Sequence, residues 1–423
     1  MDIFFQKLKT IALDSSLRNR ILFVIGALVI FRFVGNIPIP GVDEARLASF
    51  LAGSQFFGLL NIFSGGGLSN LSILMLGVGP YITASIIMQL LTMIFPKLKE
   101  MYQEDGQLGR RKFAQYSRLL SLPLAALQAF GLLFLLRQQG IIVEAGLFAH
   151  ALDIIVVSAG AIFLMWLGEL MTEYGIGNGI SILIFAGIVA SAPTQLSQLY
   201  FSFTPADAPL YLGFIAVALV IVAGVVIITE AERPIPVTYA KRVRGMKVYG
   251  GGSTYLPLRV NQAGVMPIIF ALSILLFPQM VVSFLSGIDN ATIASIAGTL
   301  SAILQNQWVY GSFYFVLVFL FTYFYTAVTF DPDQISTNLQ KSGAFIPGVR
   351  PGPSTSDYLG KILLRLTLVG ALFLAVIAVL PLILQAFTGV QALAIGGTSL
   401  LIVVSVVIDF VKQLDAQLSM REY

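Results

Sequence analysis

Long apolar runs alternate with short polar interruptions along the chain. About ten runs reach the ~20 mostly apolar residues that cross a bilayer. Their centres fall near Ile25, Ile86, Leu124, Phe163, Phe185, Leu219, Ile274, Phe319, Leu372 and Val404. The runs are unbroken rather than alternating, which predicts helices and not the strands of a barrel. Lipid offers backbone groups no partners, so each span must satisfy its own. The expected fold is an all-α polytopic membrane protein of ten transmembrane helices.

Four runs begin with residues poorly suited to a helix. LGVGPYITASIIMQLL carries Gly77, Gly79 and Pro80, and GIGNGISILIF carries Gly175, Gly177 and Gly179. NQAGVMPIIFA carries Gly264 and Pro267, and GGTSLLIVV carries Gly396 and Gly397. An aliphatic stretch follows each time. Val78 and Ile82, Ile180 and Ile184, and Val265 and Ile269 stand four apart, as do Thr398 and Ile402. That spacing puts each pair on one helix face. Glycine also permits close helix packing, and Gly175 and Gly179 form a GxxxG. Recurrence in four runs favours a shared aliphatic centre. The fifth and tenth runs both start glycine-rich, which is expected of two inverted halves of five spans. The boundary is placed between residues 1–200 and 201–423.

Phe56 to Ile73, FFGLLNIFSGGGLSNLSI, is apolar, then glycine-rich, and too short to cross. It reads as a re-entrant segment or as an interfacial helix.

Composition agrees with lipid as the main solvent. Of 423 residues 57% are apolar and 11% charged, against about 25% charged in a soluble domain. Charge then gives direction. Of the 25 Lys and Arg, only Arg32, Arg46 and Arg137 lie in or beside odd-numbered connections. The positive-inside rule puts both termini in the cytoplasm, as ten crossings require. Two cytoplasmic loops are long, residues 230–260 and 331–361, and mix Arg and Lys with Gly, Pro and aromatics. Long ordered loops are usually functional. These suit docking of a large partner, including anionic RNA, or contact with anionic lipid.

Catalytic chemistry is missing. There is no Cys, and the single His150 reads as a surface residue. No HExxH, GxxxxGK[ST] or GxSxG occurs. Nothing calls for a metal or another cofactor, and no cleavable signal peptide is expected. The acids near span depth, Asp153, Glu169 and Asp409, sit near predicted ends. A small-solute transporter normally keeps ionisable groups at mid-membrane, and an intramembrane enzyme needs a catalytic set there. An aliphatic centre with glycines beside it suits a gate that closes by dewetting. A secondary transporter remains the alternative.

Motifs across nearly the whole chain then carry a resemblance. NIPIPG, NIFSGGGLS, PYITASIIMQLL, GRRKFAQY, MWLGELMTEYGIGNGISILIFAGIV, YAKRV, LPLRVNQAGVMP, KSGAFIPGVRPG, RLTLVGAL and GGTSLLIVV together resemble the SecY family of protein-conducting channels. The resemblance implies an hourglass pore that passes secretory polypeptides and releases apolar segments sideways into lipid. It implies a pore ring at Val78, Ile82, Ile180, Ile184, Ile269 and Ile402. Val78 departs from the Ile often found there. It implies a plug at 56–70, covering Phe56, Leu60, Asn61, Phe63, Ser64, Gly65 and Gly66. A lateral gate is implied between spans two and three and spans seven and eight, with Gln89, Asn261 and Gln262 as polar candidates. Lys241, Arg242 and Arg350 are implied in partner binding, and Asp333 replaces a residue that is basic in some members. The implied partners are the small membrane subunits SecE and SecG, the motor ATPase SecA, the ribosome, signal-bearing polypeptides and lipid. Energy then comes from outside, and the chain is no enzyme. The implied location is the plasma (inner) membrane.

Overall fold

A computed structural model describes residues 14–41, 43, 46–47, 61, 64–103, 105–142, 146–202, 208–240, 242–244, 247–249, 252–286, 291–388 and 391–419. The helices are α1 (Ser15–Val34), α2 (Gly79–Ile94), α3 (Pro96–Gln103), α4 (Gly106–Gln138), α5 (Leu147–Tyr174), α6 (Gly179–Ser202) and α7 (Ala208–Glu230). They continue with α8 (Met266–Ser286), α9 (Ala291–Gln305), α10 (Gln307–Thr329), α11 (Pro332–Ser342), α12 (Pro353–Thr388) and α13 (Gln391–Ser419). Every predicted centre falls inside a helix.

Among the described residues α4, α5, α7, α10 and α12 are long and apolar enough to cross a membrane. The pair α2 and α3 passes together but bends by 113° at Phe95. Pro96 accounts for the break, because the residue before proline is driven out of the helical region. With 16 residues α2 is about 24 Å long, short of the ~30 Å hydrocarbon core. Turns at 64–78 precede it, with Leu71, Leu74 and Met75 fully buried. The stretch before α10 contains α9.

Capping explains several starts. Asp14 accepts from the backbone N–H groups of Ser16 and Leu17, Asn306 from Trp308 and Val309, and Asp331 from Asp333 and Gln334. Each satisfies donors that the first turn leaves free.

The helical class holds for the spans, but the two long loops fold together. β1 (Glu232–Tyr239) pairs antiparallel with β4 (Ser253–Arg259) and with β5 (Ala344–Phe345), giving a sheet ordered β4-β1-β5. A smaller hairpin of β2 (Arg242–Arg244) and β3 (Lys247–Tyr249) lies between β1 and β4 in sequence. Period-2 alternation buries Ile235 and Val237 on one face of β1. They join Leu258, Ala344 and Ile346 and, from α12, Leu359 and Ile362 in a core of their own.

Candidate functional site

The predicted aliphatic pairs lie at the starts of α2, α6 and α8 and inside α13; α2 and α6 begin at a glycine, and α8 begins two residues after one. α2 starts at Gly79 with Pro80 in its first turn, where a missing N–H costs nothing. α8 starts at Met266, with Pro267 likewise in its first turn. α6 starts at Gly179 after the turn TEYGIGN. Thr172 Oγ1 accepts from Gly179 N at 2.9 Å, and Asn178 Oδ1 accepts from Ile180 N at 3.1 Å and Ser181 N at 3.3 Å. Two side chains thus cap the helix. A Cβ on Gly179 would run into the carbonyl oxygen of Gly168, so α6 leans on α5 where only hydrogen fits. The fourth differs from expectation. Gly396 and Gly397 lie inside continuous α13, and helix interiors tolerate glycine at about 1 kcal/mol each.

All six predicted ring residues belong to one apolar cluster. Val78, Ile82, Ile184, Ile269 and Ile402 are buried in it, and half-buried Ile180 packs against it. Ile82 N donates to Val78 O at 3.1 Å and Ile269 N to Val265 O at 3.3 Å, so each pair stands one turn apart. Ile180 also leans toward α5, its Cγ1 2.9 Å from where a Cβ on Gly168 would stand. The cluster draws on α1, α2, α5, α6, α7, α8, α10, α12 and α13.

Two seams flank the cluster. α8 packs against α2 and α4, and α13 packs against α6. Gln89 lies on α2, while Asn261 and Gln262 lie in the turn before α8. Asn261 Nδ2 donates to Gly264 O at 3.1 Å, and its backbone sits against Gly370 of α12. Gln89 Oε1 and Asn261 Oδ1 are buried without a hydrogen-bond partner, so no bond joins them.

Of the implied plug, Phe56, Leu60 and Phe63 lie outside the described residues. The remainder forms a tight turn. Ser64 Oγ donates to Asn61 O at 2.9 Å and accepts from Leu68 N at 3.1 Å. Asn61 Oδ1 accepts from Ser69 N at 2.8 Å, and Gly66 N donates to Asn61 O at 2.8 Å. Gly65 has φ +70°, and a Cβ there would meet the Phe31 ring of α1 and Gly187 of α6. Arg32 Nη1 donates to Gly65 O at 3.3 Å. Sequence reasoning missed Phe31, Arg32 and Gly168 as anchors. Arg32 carried a signal, as a charge beside the glycine-rich turn in an otherwise apolar first span.

Lys241 lies outside the described residues, and only the backbone of Arg242, in β2, is described. Arg350 is exposed, its carbonyl accepting from Thr355 Oγ1 at 2.8 Å. Asp333 accepts a short hydrogen bond from Ser356 Oγ. It also lies in the first turn of α11, where a negative charge is favoured. The acid therefore ties α11 to α12, a role no basic residue would fill.

Two of the three span-depth acids are in ion pairs. Arg118 Nε meets Glu169 Oε1 at 2.6 Å, and Arg137 Nη2 meets Asp153 Oδ2 at 3.1 Å, both between α4 and α5.

These features define a class: a multi-span helical membrane protein whose apolar centre lies between two seams, with a folded sheet at one end. The family model described as SecY matches residues 72–411. The chain is 42% identical over 444 aligned residues to the protein translocase subunit SecY of Mycobacterium tuberculosis (strain ATCC 25618 / H37Rv), covering 100% of this chain and 99% of that one. The fold matches a structure of the SecY protein, titled for a plug domain that stabilises the closed state and maintains a membrane seal. There the TM-score is 0.65 at 20% identity, over 96% of this chain and 93% of that one. It also matches Sec61 in the canine ribosome–channel complex, with TM-score 0.61 at 18% identity over the same shares. The chain belongs to the SecY family.

Proposed function

We propose that the chain forms the channel through which secretory polypeptides cross the plasma (inner) membrane, with both termini in the cytoplasm. The moving chain passes through a ring of Val78, Ile82, Ile180, Ile184, Ile269 and Ile402. One observation carries this reading: the six residues, drawn from four helices, belong to one apolar cluster flanked by two seams. A ring without charge or hydroxyl excludes water when shut and so seals against ions.

Residues 1–200 and 201–423 act as two halves that part at the seam of α8 with α2 and α4. Gln89, Asn261 and Gln262 belong to this lateral gate. An apolar segment that reaches it leaves for lipid, since burying apolar surface gains about 25 cal/mol per Å². Residues 56–70 act as the plug, with Arg32 and Phe31 holding its turn in the resting state. Lys241, Arg242 and Arg350 dock a motor ATPase of the SecA kind or a ribosome. SecE- and SecG-like subunits complete the complex, and no catalysis is assigned to the chain.

The absence of Cys makes a clean test available. One Cys replaces Ile184 and another is placed in a stalled secretory polypeptide. Oxidation in membranes with motor and ATP is expected to join them, dependent on ATP and on the signal sequence. No disulfide, with the polypeptide demonstrably stalled at the complex, would move the path away from these helices and reopen the transporter reading.

A further inference from the structure

A cavity of about 310 Å³ lies between α10 and α12, and the channel reading leaves it unused. Gly311 and Phe315 form one wall, and Val379 and Leu382 form the other. Gly311 contributes no side chain. Pro381, inside α12, removes one backbone hydrogen bond at that level. The Gln307 amide bridges the helices here, donating to Leu382 O at 2.8 Å and Gln385 Oε1 at 3.2 Å.

The cavity opens outward. Trp308, Val316 and Ile383 line it and are 62%, 50% and 40% exposed. Both helices are long and apolar enough to cross a membrane, where an uncovered mouth of this kind meets lipid. No charged side chain lines the cavity. Water suits it poorly, because a buried water needs two to four polar partners. An empty gap forfeits dispersion contacts along both walls. Trp308, in the first turn of α10, is the residue type that sits at a membrane–water interface.

We propose that this cavity holds one acyl chain of a zwitterionic or neutral membrane lipid, with Gln307 and Trp308 level with its ester groups. The volume is at the low end of the ~300–1,000 Å³ of small-ligand sites, as a single chain requires. With no cation at the mouth, an anionic headgroup gains nothing there.

The test uses the full complex with its companion subunits in vesicles. Phosphatidylcholine carrying a photoreactive diazirine near the end of one chain is activated, and labelled residues are mapped by mass spectrometry. Phe315, Val379 and Leu382 are expected to label several-fold above Leu320 and Leu372, which are exposed and do not line this cavity. A Cβ at Gly311 meets Val379 and Leu382 at 3.6 and 3.9 Å, ordinary contacts, so a larger side chain grows into the space. Gly311→Leu is expected to abolish the excess label and spare Leu320 and Leu372. Val379→Phe fills the cavity from the opposite wall and is expected to act alike if the first variant does not fold. Equal labelling of cavity and flat face in the unaltered protein overturns the proposal, as does an excess that survives filling. Labelling that appears only after the companion subunits are stripped away also overturns it, because protein then covers the groove. A phosphatidylglycerol probe is expected to label no more strongly, and a preference for it would overturn the headgroup assignment.

Discussion

The two seams that flank the aliphatic cluster are built from the same kinds of helix and differ in their polar groups. Where α13 meets α6, the end of α13 is fastened down. Leu418 joins Leu17 and Ile176 in a small apolar cluster, and the Gln413 amide lies beside the backbone of Gly177. Lys412 Nζ meets Glu230 Oε1 of α7 at 2.8 Å. Where α8 meets α2 and α4, the contributing elements carry Gln89 Oε1 and Asn261 Oδ1, both buried without partners. Each orphaned acceptor costs about 1–3 kcal/mol, and water or a passing backbone would repay it. In the proposed channel, the seam that carries the two orphaned acceptors would gain hydrogen bonds on parting, and so would act as the gate, with the fastened seam as its hinge.

The largest expected effect lies beside the hinge. Gly179→Leu puts a side chain into the Gly168 carbonyl and should cost about 3 kcal/mol or more, seen as loss of assembled complex in detergent. Gly298→Ala, with open space around it, should leave yield and melting temperature unchanged. Leu418→Ala should cost about 2 kcal/mol at the fastened end and lower the melting temperature. Melting unaffected by this change would remove the small cluster from the account of the hinge.

At the gate the sign reverses. Gln89→Leu removes a buried orphan and should stabilise the resting state by about 1 kcal/mol. The melting temperature should rise, and signal-triggered translocation should start later. A fall in melting temperature would mean that Gln89 is satisfied at rest and that the contrast between seams is wrong. The smallest effect belongs to Lys412→Ala. Its pair with Glu230 is 28% and 53% exposed, so the loss should stay below about 1 kcal/mol and shrink in high salt.

The spans were legible because lipid imposes one rule on every residue of a run. The aliphatic pairs were legible too, since a spacing of four fixes a helix face. What stayed hidden depends on distant partners. Gly179 reads as half of a GxxxG with Gly175, yet its close neighbour is Gly168 on the preceding helix. Gly396 and Gly397 read as a break, but α13 runs through them. The sheet was invisible for two reasons. β1 and β4 contain Pro234, Pro236 and Pro257, which argue against strands. The other neighbour of β1 lies far along the chain, Tyr239 opposite Ala344. Orphaned acceptors cannot be read from a sequence at all, because an orphan is defined by its surroundings.

The sheet has a mechanical consequence. Its buried residues interlock with Leu359 and Ile362, near the start of α12. That helix runs for 36 residues, about 54 Å, and packs along α10 and α13. A push on the sheet therefore has little slack to take up before it reaches the shaft. The sheet is a handle and α12 is its lever arm, so a torque applied to the sheet reaches the bundle along α10 and α13.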